Sequence, residues 1–230
     1  MFALDASQQK TSAVVDSLGG MAFGTMPVQY PGYTDIPKQL RESFVVPVWD
    51  LTGSHAQLVR SGGNSIDEGQ FYTHAYWLKW RESDTGYRTL FRHNQDHCTI
   101  VNTGTKELGF YSDRNGGFRG SGYNIQVGVW QLVIAVGAGT SNTSFTGNTT
   151  FFVGGQHTPA KVGSADRVCS GMQVARIGAT HQGPGLLSQV WSWSRALSQD
   201  EIGSLWNSTK SRYFGGAQHA PTRATRAHNR

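Results

Sequence analysis

The sequence predicts an all-β protein made of two packed antiparallel sheets, and three observations carry that expectation. Charged residues are only 15% of the 230 positions, while 29 are glycine and 11% are aromatic. That balance suits tight turns between half-buried strands, and suits neither a helical bundle nor a disordered chain. Short runs rich in β-branched and aromatic residues recur along the chain, bounded by Gly, Asn, Asp and Ser clusters. Helical periodicity, by contrast, is confined to one stretch near the C-terminus. The length allows one sizeable core plus arms.

Residues 1–44 show no clean period. Gly19-Gly20 and the stretch from Pro27 to Pro37, with Tyr30, Pro31, Gly32 and Tyr33 inside it, read as an extended arm. Extended segments of this kind gain order by lying on partner surfaces, so Tyr30 and Tyr33 are expected to contact other chains. The sandwich is expected over residues 45–210. Phe44 to Trp49 reads as its first strand, with Pro47 at a sheet edge. Phe71 to Trp80 is strongly strand-like, and Trp77 and Trp80 have opposite parity, so one of them is expected to point outward. Further strands are expected over 89–91, 99–101, 108–112, 123–127, 130–136, 149–153 and 173–177.

The closing stretch is the most explicit. Leu186 to Trp193 follows a Gly-Pro-Gly turn signal and reads as a strand with Trp191 and Trp193 on one face and Val190 on the other. Ser198 is a good N-cap, and Glu201, three residues on, completes a capping box. Leu197 and Ile202 stand where a hydrophobic staple forms, and Ile202, Leu205 and Trp206 make one apolar helical face. Gly215-Gly216 and Pro221 discourage continuation of that helix, leaving residues 211–230 as a tail.

At these residues the chain resembles the laminin-G-like domains of the concanavalin A-like jelly-roll class. The segment from Arg195 to Ile202 is similar to that family's R-A-L-S-x-x-E-I ending. Upstream, Tyr76 to Trp80, Trp130 to Val133, Phe151 to Gly155 and Ala175 to Gly178 resemble its core strands, in order. The resemblance implies a concanavalin A-like jelly-roll sandwich with one short C-terminal helix and extended terminal arms. It also implies room for one calcium ion at the rim, for which the loop carboxylates Asp96 and Asp113 are the candidates. Two positions depart from the pattern: Gly154 stands where the family usually has Asp, and Ser188-Gln189 where it often has an acidic pair.

The net charge of +5 sits entirely in the tail: Lys210, Arg212, Arg223, Arg226 and Arg230 follow Glu201 with no acid among them. A globular basic face is not indicated. A short cationic tail that docks on an acidic surface, phosphate or lipid head groups is. No run of 18 apolar residues marks a membrane span, and no basic segment followed by an apolar run marks a secretory signal. An intracellular, organellar or virion location is therefore the expectation. The two cysteines, Cys98 and Cys169, are expected to be reduced and buried.

No catalytic residue is expected. β-Glucan-cutting enzymes on this fold resemble one another in an E-x-D-x-E strand whose paired carboxylates do the chemistry, and the chain has no such run. The polar cluster from His93 to Cys98 holds metal-ligand residue types but no second pair at ligand spacing, so it reads as an inter-strand loop. No cofactor is implied beyond that calcium ion. Two functional classes survive. The first is a structural subunit fastened by its arms into a large intracellular, organellar or viral assembly of other protein chains. The alternative is a carbohydrate-binding, lectin-like module that takes a glycan, with or without calcium.

Overall fold

The computed structural model describes residues 2–5, 14–15, 22–23, 49–50, 57–59, 66–67, 71–81, 86–92, 96–112, 117–139, 146–168, 173–174, 176–178 and 183–214. Short strands open it: β1 (Phe2–Asp5), β2 (Val14–Val15), β3 (Ala22–Phe23), β4 (Trp49–Asp50), β5 (Gln57–Val59) and β6 (Ile66–Asp67). The main strands are β7 (Tyr72–Trp80), β8 (Tyr87–Arg92), β9 (Asp96–Asn102), β10 (Glu107–Ser112), β11 (Gly117–Asn124), β12 (Trp130–Gly139), β13 (Thr146–Gly154) and β14 (Ala160–Val168). The chain closes with β15 (Gln173–Val174), β16 (Arg176–Gly178), β17 (Gly185–Trp193) and the helices α1 (Gln199–Thr209) and α2 (Ser211–Phe214).

One sheet has seven strands in the order β1-β17-β7-β12-β13-β14, with β4 also paired to β17. The other has six, ordered β11-β10-β9-β8-β16-β5. The pairings within both are antiparallel, as expected of a sandwich. β4 meets β17 at Leu186 and Leu187 and β1 meets it from Gln189 to Ser192, so two short strands lie end to end on one edge. Part of the expected arm, Phe2 to Asp5, thus belongs to the sheet. At the opposite edge β14 runs close to β11 of the other sheet.

Side-chain alternation divides β7 between two cores. Tyr72, Tyr76, Leu78 and Trp80 face the other sheet and pack with residues such as Phe91, Phe110, Val133, Phe151 and Val190. Ala75 and Trp77 face the opposite way. The expectation that Trp77 or Trp80 points to solvent is corrected here: both are fully buried, because the two helices cover the outer face of the seven-stranded sheet. Val190 on one face of β17, and Trp191 and Trp193 on the other, fall as their parity requires. A one-residue register shift between Leu187 and Val190 buries both Ser188 and Gln189. Gln189 Oε1 accepts a hydrogen bond from the Tyr213 hydroxyl at 3.3 Å. The uncharged pair therefore serves the helical cap, where two buried carboxylates would each need a partner.

The capping box is present. The Glu201 amide donates to Ser198 Oγ at 3.3 Å, and the Ser198 amide donates to Glu201 Oε2 at 2.9 Å. Leu197 and Ile202 both enter the outer core as the staple requires. Ser198→Ala is expected to cost about 1 kcal/mol in chemical denaturation, and an unchanged midpoint would refute the cap's role. Arg195 grips Glu201 through both guanidinium ends. That hydrogen bonding, with help from the Ser198 amide, lowers the Glu201 carboxyl from 4.5 to about 2. A carboxylate whose folded pKa is depressed stabilises above the unfolded value and loses that contribution as pH falls through the folded one. The Tm difference between the wild type and Glu201→Gln should therefore shrink as pH drops from about 4.5 to about 2. A pH-independent difference would refute the linkage.

The helical cap also runs past the expected boundary at residue 210. Tyr213 on α2 is buried and stacks on Trp77, ring centroids 3.9 Å apart and 19° from parallel, with Phe214 edge-on to the same indole. Residues 211–214 are thus part of the packed domain. β14 is an addition to the expected strands, the strand expected over 123–127 lies earlier as β11, ending at Asn124, and the expected strand over 173–177 divides. Gln173–Val174 pairs with β6, while Arg176–Gly178 joins the six-stranded sheet.

Candidate functional site

A groove of about 490 Å³ opens at the end of the sandwich where β12 begins. Its floor is Gln131, which is 2% exposed. Its Nε2 donates to the Gln126 carbonyl at 2.8 Å, and its Oε1 accepts from the Tyr123 hydroxyl at 3.4 Å. Both ends of the carboxamide are engaged, so the floor is held in one orientation. Burial pushes the Tyr123 phenol up, which keeps it a hydroxyl donor.

One wall is the half-buried indole of Trp130, beside Lys79 in the strand register. Trp130 leans on Tyr213, centroids 5.1 Å apart, and Phe214 of α2 extends the same wall. The facing wall is the connection from β13 to β14, with Val153, Gly154, Gln156 and His157. Trp206 Nε1 donates to the Gly155 carbonyl at 3.3 Å, tying that wall to α1. Gly154 is required by close approach: a Cβ there would lie 2.7 Å from Pro159 N and Cγ. The position that the family resemblance assigns to Asp therefore has no room for a side chain. Among the described residues no carboxylate lines the groove, and the ionisable ones there are Lys79, His157 and Tyr123.

A second aromatic group, Tyr87, Tyr111, Phe118 and His97, lies on the six-stranded sheet. Its ring planes meet at 40° to 85°, so the rings pack on one another. His97 Nδ1 shares a 2.7 Å hydrogen bond with Thr89 Oγ1, while the buried Cys98 side chain enters the inter-sheet core. Neighbouring residues of a strand face opposite ways, so these two cannot converge on one ion.

Among the expected site residues, Lys210 ends α1, its ammonium 2.8 Å from Asn207 Oδ1 and 3.7 Å above the Trp206 ring. Arg212 is exposed on α2. Asp96 begins β9, but its side chain lies outside the described residues, as do Asp113, Tyr30, Tyr33, Arg223, Arg226 and Arg230. No group of three metal-ligating side chains occurs among the described residues, and none of their helices is long and apolar enough to cross a membrane. The groove itself escaped sequence reasoning, since its walls come from positions 79, 123–131, 153–162 and 214. Its nearest trace in the sequence is the segment from Gln126 to Gln131, which supplies five of the lining residues.

Comparison with solved structures returns sandwiches of this kind. A mutant Trypanosoma rangeli sialidase displaying trans-sialidase activity is similar at a TM-score of 0.57 and 11% identity, over 92% of this chain and 33% of that one. The same organism's sialidase in complex with the inhibitor DANA gives 0.54 and 9%, over 89% and 32%. The chain thus spans about a third of those enzymes, and at such identity the likeness concerns the fold alone. The native heptameric SAP-like pentraxin from Limulus polyphemus is similar at 0.44 and 18%, over 65% of this chain and 75% of that one. No curated protein matches. The family model described as the concanavalin A-like lectin/glucanases superfamily matches residues 52–203, the greater part of the chain. That match, on two antiparallel sheets closed by the capped helix, makes the chain a member of the concanavalin A-like lectin/glucanases superfamily.

Proposed function

We propose that the protein is a non-catalytic binding module that takes a sugar ring of a glycan in the groove beside Trp130. The observation that carries this reading is one groove at the end of the sandwich, lined by the half-buried indole of Trp130 on the outer face of β12 and by the held carboxamide of Gln131 on its inner face. An apolar wall with a few oriented polar groups is what an amphipathic ring requires. The described lining holds no carboxylate, where glycoside hydrolysis uses a pair of acids. The superfamily's lectin members add fold-level analogy only.

The assembly role expected from the arms draws no support from the described residues, where Phe2 to Asp5 is occupied by the chain's own sheet. A glycan array probed with the full chain is expected to give a defined set of binders. Trp130→Ala should weaken the best of them at least roughly tenfold. Because Trp130 also touches Tyr213, Gln156→Ala, at an exposed position, serves as the second variant and should also weaken binding. An array without binders, or a Trp130→Ala protein that binds unchanged, would overturn the reading. Release of new reducing ends from a bound oligosaccharide would overturn its non-catalytic part.

A further inference from the structure

The turn at the groove's rim breaks the usual chemistry of turns. Gly128, at φ 75°, supplies the left-handed conformation the chain needs there. Its neighbours are Val127 and Val129, 41% and 43% exposed, where Asn, Asp or Ser would be usual. The turn is also pinned: the Gly128 amide donates to the Trp80 carbonyl at 2.9 Å, and Val127 forms an isolated bridge with Trp80. The valines are therefore held out in a fixed place, with Val129 on the groove wall. A local rule broken at a cavity mouth marks a functional position.

We infer that the groove selects sugars bearing a 2-acetamido group, which rests on the sugar-binding reading above. An acetamido substituent presents one carbonyl acceptor, one N–H donor and one methyl group. Gln126 and Gln156, both exposed at the groove, carry carboxamides that donate and accept. Val129 on the groove wall offers the methyl an aliphatic contact that is already ordered, so little entropy is lost on binding. Trp130 takes the ring face. Among the described residues nothing in the lining supplies the carboxylate that a cationic amino sugar would need.

Chitotriose and cellotriose share a backbone and differ by the acetamido groups, so calorimetric titration of the full chain with each isolates the substituent. Chitotriose should bind roughly tenfold more tightly, the scale of one well-placed apolar contact with its amide. The double substitution Val127→Ser and Val129→Ser should bring the ratio of the two affinities close to one. Equal affinities, or a preference that survives the double substitution, would overturn the inference while leaving the sugar-binding reading intact. Binding of neither trisaccharide overturns this inference, and the glycan array then decides the broader reading.

Discussion

Replacing Trp77 with alanine should cost about 3–5 kcal/mol of folding stability, the range for deleting a large buried aromatic. Trp77 is wholly buried on the outer face of the seven-stranded sheet. Its Nε1 donates to Thr209 Oγ1 at 2.8 Å, and Tyr213 and Phe214 pack on its ring. The substitution therefore opens a cavity under both helices at once. Phe214 is also a groove wall, so glycan binding should fall with the loss of order in the cap. Thr209→Val separates the contributions: it keeps the packing but strands the indole N–H, at a cost of about 1–3 kcal/mol. Urea denaturation followed by tryptophan fluorescence measures both. A Trp77→Ala loss under about 1 kcal/mol would mean that the cap does not rest on this residue.

Legibility in the sequence followed locality. The capping box and staple were readable because Leu197, Ser198, Glu201 and Ile202 lie within one helical turn of each other. The parity of Val190, Trp191 and Trp193 was readable because it needs only the strand period. Parity could also place Trp77 and Trp80 on opposite faces, but not reveal that α1 and α2 would cover one of them. β11 carries three glycines among its eight residues, GFRGSGYN, so only its end at Tyr123 and Asn124 falls within the strand expected over 123–127. It is a strand because β10 pairs with it, a tertiary effect stronger than propensity. β14, AKVGSADRV, is hidden because its apolar alternation stops after Ala160 and Val162, next to Gly163, where its register with β13 shifts. The groove is the extreme case, since residues 79, 131, 156 and 214 meet only after both sheets and the cap are in place.

Installing aspartate at position 154, the residue usual at this point in the family that the chain resembles, should damage this protein. Gly154 is buried at the end of β13, and a Cβ would stand 2.7 Å from Pro159 N and Cγ and 2.8 Å from its Cα. Those are backbone and ring atoms, which cannot swing aside as a flexible side chain would. Overpacking of this kind costs about 1–3 kcal/mol. A carboxylate brought into the same space adds a desolvation cost unless a cation or donors meet it. Gly154→Ala separates the two effects, because it introduces the Cβ alone and should show the steric part of the loss. Gly154→Asp should fall further, and millimolar calcium should not restore it, since the clash of the Cβ with Pro159 remains whatever meets the carboxylate. The same wall faces Trp130 across the groove, so affinity for the array's best glycan should drop in both variants. Thermal denaturation with and without calcium decides the matter. A neutral Gly154→Ala, together with a Gly154→Asp protein stabilised by calcium, would show that the β13–β14 connection re-forms an ion site instead of resisting the side chain.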